Sequence, residues 1–139
     1  MISPAIIVKV VIMRLNYLVL FTLLAVLIAH GAGLFMGLYA QYHNFDMLVH
    51  FLGGTFTASV FISTAARHPK FSFIGQNKWV NIIVAVALTV LVGVLWEFFE
   101  FYVGVWTGLP SQTYTDTLSD LFFDTIGGLS SSLIAFIVL

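Results

Sequence analysis

The chain has no cysteine, so disulfides are excluded and the redox compartment leaves no trace in it. Charge is nearly as scarce. Only 8% of the 139 residues are Asp, Glu, Lys or Arg, against about 25% in a typical soluble domain. So few charges cannot build a solvated surface. With 60% of the residues apolar, lipid must cover most of the outside. The net charge of −1 gives nucleic acid no electrostatic footing, and none is expected as a partner. The length suits one domain, expected to span residues 1–139. Internal repeats and low-complexity tracts are absent.

What fills the chain instead is long apolar runs. A helix needs about 20 apolar residues to cross the hydrocarbon core, and four segments qualify: about 15–38, 46–66, 79–103 and 117–139. Lys9 and Arg14 resemble the start of a signal peptide, and Ala29-His30-Gly31 mimics a cleavage site. The uncharged run from Leu15 to Ala40 is too long for the usual apolar region of about 7–15 residues, so a retained first span is expected. Residues 1–14 either form an interfacial helix or extend that span. The second span stops at Arg67-His68-Pro69-Lys70, where proline and charge both end a helix. A polar loop is expected over Gly104–Asp116, with a turn at Gly108-Leu109-Pro110. The expected fold is all-α: a polytopic four-helix transmembrane bundle.

Lys9, Arg14, Arg67, Lys70 and Lys78 all fall on one side of such a bundle. That side should be cytoplasmic, which places both termini in the cytoplasm and the protein in the inner membrane. Tyr39, Tyr42, Tyr102, Trp106 and Tyr114 gather at the opposite boundary, as an aromatic belt does.

The acids segregate just as completely. Asp46, Glu97, Glu100, Asp116, Asp120 and Asp124 all sit in the outer half, where no Lys or Arg stands. Within each helix the spacing keeps the groups on one face: Asp46 and His50 at i,i+4, Glu97 and Glu100 at i,i+3, and the three aspartates at successive i,i+4 steps. At 1.5 Å per residue, His50 lies about 6 Å below Asp46, Glu97 about 9 Å inside the exit of its span, and Asp124 about 10 Å below the start of the last. Three ladders reach similar depths, so the polar faces should point into the bundle.

An ionised carboxylate in hydrocarbon costs on the order of 3 kcal/mol even on the mild insertion scale. Neighbouring carboxylates repel as well. Protonation, water or bound cations are the remedies open to a site with no basic partner. Carboxylate and imidazole ligands on facing helices build metal sites in helix bundles. The ligand set suits a divalent ion, and Mg, Mn, Fe and Zn all fit it. The expected metal ligands are Asp46, His50, Glu97, Glu100, Asp120 and Asp124, with His50 also the expected acid or base.

Each residue also has a simpler account. Asp46 suits a helix N-terminus. Thr117-Leu118-Ser119-Asp120 matches a capping box, and Asp116 reads as a loop or cap residue. His50 alone is more often a hydrogen-bonded core histidine. Glu97 and Glu100 resist such accounts, because they precede a helix C-terminus, where the dipole disfavours anions. His30, beside Gly31 and Gly33, reads as a packing residue, and Gly33-x-x-x-Gly37 as a small-residue contact face. Gly53-Gly54 and Gly127-Gly128 also permit close helix approach.

Phe45-Asp46 with His50-Phe51 and Gly53, Trp96-Glu97 with Glu100-Phe101, and Asp116-Thr117 with Asp120 and Gly127 resemble, in that order, the YjdF-like inner-membrane proteins of bacteria. More distantly the layout is similar to the VanZ-like small membrane proteins. The resemblance covers about residues 45–128. It implies membrane placement and weight on these polar positions, and it carries no activity. Asp124 departs from it, standing where a small residue is expected. Asp116-x3-Asp120-x3-Asp124 also echoes the end of a CDP-alcohol phosphotransferase motif, but its preceding Asp-Gly element is missing.

The leading functional expectation is a divalent-metal-binding membrane protein, a hydrolase or transferase acting on a lipid at the outer leaflet. Metal would supply the missing positive charge and activate water. An oligomeric proton- or cation-coupled transporter or channel subunit is the alternative, since intramembrane carboxylates and histidine also build relays. Against it, the inner half reads as dry, with Thr22, Thr57, Thr64, Thr89 and Ser130–Ser132 as modest stepping stones. An accessory subunit without chemistry is the third.

Overall fold

The structure, a computed structural model, describes residues 3–42, 44–68, 77–108 and 113–138. Five helices account for nearly all of them: α1 Pro4–Phe35, α2 Leu38–Gln41, α3 Phe45–Ala65, α4 Lys78–Thr107 and α5 Tyr114–Val138. Three of the described helices are long and apolar enough to cross a membrane: α1 over Ile6–Phe35, α3 over Phe45–Ala65 and α4 over Trp79–Thr107. At 1.5 Å per residue, α5 reaches about 37 Å, so its length suffices. Its composition falls short of the other three, because Asp116, Asp120 and Asp124 occupy its first half and Ser130–Ser132 its second.

The helix ends follow local chemistry. Pro4 opens α1 at a position where its missing N–H is not needed. Residues 4–14 extend the first helix rather than lying apart from it. That helix ends sooner than expected, because Gly37 takes φ +67 and turns the chain into α2. The expected Gly33-x-x-x-Gly37 face is therefore not formed. A Cβ on Gly33 would collide with the Tyr39 ring and Phe45, so the room at Gly33 admits the returning chain. Asn77 caps α4, accepting from the Trp79 N–H at 3.0 Å. Gly108, at φ +70, ends α4. The helices reach Thr107 and resume at Tyr114, so the loop expected over Gly104–Asp116 is shorter than that. Leu109 and Pro110 of its turn lie outside the described residues, as do Pro69 and Lys70.

Among the described residues, α3 packs along α1, α4 and α5, and α4 packs along α5, whereas α1 meets α4 mainly through side chains, with the His30 ring edge-on to Trp96. The closest pairing is α3 on α5. Glycine makes it possible, since a Cβ on Gly54 would enter the Asp124 backbone and one on Gly127 would enter the Phe51 carbonyl. On the half opposite the acids the bundle is closed by Leu15, Ala58, Ile62, Ala85 and Ala135, with Val11, Leu18 and Phe61 against them. The outward faces stay apolar, as lipid contact requires: Phe21, Ile28, Leu95, Phe98 and Phe122 are all exposed. Tyr42, Tyr102, Trp106 and Tyr114 of the expected aromatic belt are exposed as well. Tyr39 departs from that belt and packs edge-on against His30 and Phe45.

Candidate metal centre

Three helices deliver the polar cluster. Asp46 and His50 come from the first turns of α3, Glu97 and Glu100 from α4, and Asp120 and Asp124 from α5. Because α4 continues to Thr107 and α5 starts at Tyr114, Glu97 and Asp124 each lie about 15 Å from their helix ends, deeper than the spans drawn from sequence imply. The expected convergence is present. The side chains of Asp46, His50 and Asp120 offer ligand atoms within 4.8 Å of one another, and so do those of His50, Glu97 and Glu100. Donors trans to each other on an octahedral ion stand about 4–5 Å apart, given bonds of about 2.0–2.4 Å. Both sets share His50.

His50 is 5% exposed, Glu97 7% and Asp120 1%. Four buried atoms among them have no hydrogen-bond partner among the described residues: His50 Nε2, Glu97 Oε1 and both Asp120 oxygens. His50 Nε2 lies 3.7 Å from Glu97 Oε1 and 3.9 Å from Asp46 Oδ1, both too long for hydrogen bonds. Burial without a partner costs a polar group about 1–3 kcal/mol, and a charged group more. Such a cost, concentrated at one point, calls for protonation, water or a bound cation.

Asp124 stands behind the cluster rather than in it. Its Oδ2 lies 3.2 Å from His50 Nδ1. A carboxylate only accepts, so Nδ1 carries the hydrogen, and in the neutral ring Nε2 presents its lone pair to Asp46 and Glu97. This is the arrangement by which a carboxylate orients a metal-binding histidine. Gly93 makes room for it, since a Cβ there would run into the Asp124 carboxylate.

Asp116 is half-buried in the first turn of α5, where its N–H donates to Thr113 Oγ1 at 3.3 Å. Thr113 is thus the cap of α5, and the Thr117-to-Asp120 capping box is not formed. Thr117 instead donates its hydroxyl to Glu97 Oε2 at 2.6 Å, joining α5 to α4. Sequence reasoning passed over Thr117 as a contributor to the cluster. Its i,i+3 spacing from Asp120 was the available signal. His30 lies outside both ligand sets. Its Nδ1 pairs with the Tyr39 hydroxyl at 2.7 Å, and its ring meets Trp96 edge-on. Burial, then Asp46 and Glu100, push the Tyr39 phenol well above its ordinary range, so it stays protonated.

The half opposite the acids, expected to be dry, carries buried hydroxyls. Thr55, Ser59 and Ser63 line one face of α3, all buried, and Ser59 bonds Ser131 of α5 at 2.7 Å. Arg67 ends the row by donating to Ser63 at 2.9 Å. Most of these hydroxyls were hidden from the sequence because each can also bond its own helix, as Thr55 and Ser59 do.

Residues 1–139 match the family described as "Predicted membrane protein (DUF2238)". The chain belongs to that family. As a DUF2238 member it is a membrane protein and meets lipid over the exposed apolar faces of α1 and α4. No curated protein and no solved structure matches this DUF2238 chain.

Proposed function

We propose that this DUF2238 protein binds a divalent cation within the outer half of the cytoplasmic membrane, at the cluster of Asp46, His50, Glu97, Glu100 and Asp120. The observation that carries this is the set of buried ligand atoms on His50, Glu97 and Asp120 that have no hydrogen-bond partner among the described residues. A cation would compensate the carboxylates where no Lys or Arg stands. Asp124 then serves as the orienting partner of His50 and not as a ligand. In this reading α5 is the fourth crossing helix, its aspartates turned inward, and the basic residues hold both termini in the cytoplasm. The ordered Asp46/His50, Glu97/Glu100 and Asp120 blocks support the YjdF-like likeness as well.

The chemistry that suits such a site is hydrolysis or group transfer on a membrane amphiphile. The bound ion would supply Lewis acidity and a water of lowered pKa. The chain's own residues hold and orient: Asp124 fixes the His50 ring, and Thr117 fixes Glu97. The buried row of Thr55, Ser59, Ser131 and Ser63 ending at Arg67 favours a second reading, a proton- or cation-coupled path running inward from the cluster.

Elemental analysis of protein purified in detergent and dialysed against Mn2+ tests the proposal, with Glu97→Gln and Asp120→Asn beside the wild type. Stoichiometric metal in the wild type and its loss in both variants is the expected result. Absence of metal from the wild type, with proton uptake that disappears in His50→Ala, would replace the cation site by the relay.

A further inference from the structure

A cavity of about 350 Å³ lies between α1 and α4, below the edge-on contact of His30 with Trp96. That volume falls in the range of small-molecule sites. Its lining is almost wholly apolar, with Leu23, Val26, Leu27, Val49, Phe56 and Val92 among the wall residues. Exposure separates mouth from back. Leu27 and Val92 are exposed, whereas Val49, His50, Thr89, Gly93 and Asp124 are buried. The mouth therefore faces sideways, between outward surfaces carrying Leu24, Ile28, Leu91 and Leu95, all exposed. From His30 and Trp96 the walls run down to Leu23 and Thr89, about 10 Å along the helix axes.

We infer that this cavity holds the hydrocarbon chain of a membrane lipid, entering between α1 and α4 and lying along the bundle with its polar end toward His50. Lipid is the medium into which such a mouth opens, and the polar side chains of the wall are few: His30, Thr57 and Thr89, with His50 and Asp124 at the back. There, His50 is shared by the cavity wall and by both candidate ligand sets. A seated chain would bring the group attached to it beside the carboxylate cluster. The volume accommodates roughly ten groups the size of a methylene, at about 30 Å³ each. Glycine at position 93 keeps the back wall thin. As the substrate class of the cation site, the chain rests on the cation reading; as an occupant of the cavity, it does not, and the two are tested apart.

The protein is reconstituted in vesicles of phosphatidylethanolamine and phosphatidylglycerol containing a trace of phospholipid with a mid-chain diazirine. It is irradiated in EDTA, and adducts are mapped by peptide mass spectrometry. Adducts should concentrate on Leu23 and Phe56 above the level at Phe21 and Phe98, which face lipid on the outside of the bundle. Val92→Trp and Leu27→Trp, both at the mouth, should each reduce the Leu23 and Phe56 adducts to that outside level. Both variants should still bind Mn2+ as the wild type does, which also reports that they fold. An even spread of adducts, or enrichment that survives both tryptophans, overturns the chain site. Cross-links between two copies through this face, without lipid adducts inside it, assign the cavity to a second copy and overturn it equally. Because the labelling is done without metal, a failed cation site leaves its outcome readable.

Discussion

The Nδ1 atom of His50 lies 3.2 Å from Asp124 Oδ2, and this pairing decides which ring nitrogen faces the remaining carboxylates. Replacing Asp124 by Asn keeps the shape but allows the amide to donate, which releases the ring to turn or change tautomer. Loss of an outer partner of this kind typically lowers metal affinity about 10- to 100-fold. Mn2+ titration of Asp124→Asn, followed by electron paramagnetic resonance, should show a shift of that size. Unchanged affinity would mean that Asp124 only packs.

Asp120 should behave in opposite ways with and without cation. Its two oxygens are buried with no hydrogen-bond partner among the described residues, so in EDTA Asp120→Asn removes an uncompensated acid and should raise the thermal midpoint of the detergent-solubilised protein. With Mn2+ at about 100 times its Kd the wild type gains about 2.7 kcal/mol, and the variant should gain far less. A variant less stable than the wild type in EDTA would contradict this account.

Gly93 tests the packing behind the histidine. A Cβ there must displace the Asp124 carboxylate or Leu121, and overpacking of this kind costs about 1–3 kcal/mol. Gly93→Ala should therefore lower the thermal midpoint and also weaken Mn2+ binding, because the displaced group orients His50. Gly31→Ala is the control, since open space surrounds that position.

Tyr39 gives a prediction about pH. Its phenol is held well above the ordinary value, so the folded protein retains a proton that the unfolded chain gives up at about pH 10. The contribution is intact below that pH and is lost as the pH rises through the folded value. Wild-type stability should fall more steeply above pH 10 than that of Tyr39→Phe. At neutral pH the variant should be about 1 kcal/mol less stable, through loss of the 2.7 Å bond to His30. Parallel pH profiles would remove Tyr39 from this role.

The legible parts of this protein were those set by period and by charge. The apolar runs placed α1, α3 and α4, and the i,i+3 and i,i+4 spacing of the acids placed Asp46, His50, Glu97, Glu100 and Asp120 on inward faces. Backbone geometry was harder to read. Nothing in the pattern separated Gly37, which breaks the helix, from Gly33, which admits Tyr39. Partner choice within the site was hidden too. Asp124 looked like Asp120 four residues earlier, yet of the two it is Asp124 that comes within hydrogen-bond reach of the imidazole, at Nδ1. Thr117 fitted a capping box, and only the approach of α4 gives its hydroxyl to Glu97.

Several buried hydroxyls return their proton to a carbonyl four residues back on the same helix: Thr22 to Leu18, Thr89 to Ala85, Ser132 to Gly128. Each of these groups is already satisfied in a solitary helix surrounded by lipid, so it raises little obstacle to insertion before the neighbours arrive. Among the described residues, what a solitary helix leaves open includes the Ser59–Ser131, Thr55–Gly127 and Thr117–Glu97 bonds and the imidazole with its carboxylates. Assembly of the inserted helices is thus left to a handful of polar contacts and to shape at Gly54 and Gly127, and α5, the least apolar of the four long helices, has the most to gain from finding α3.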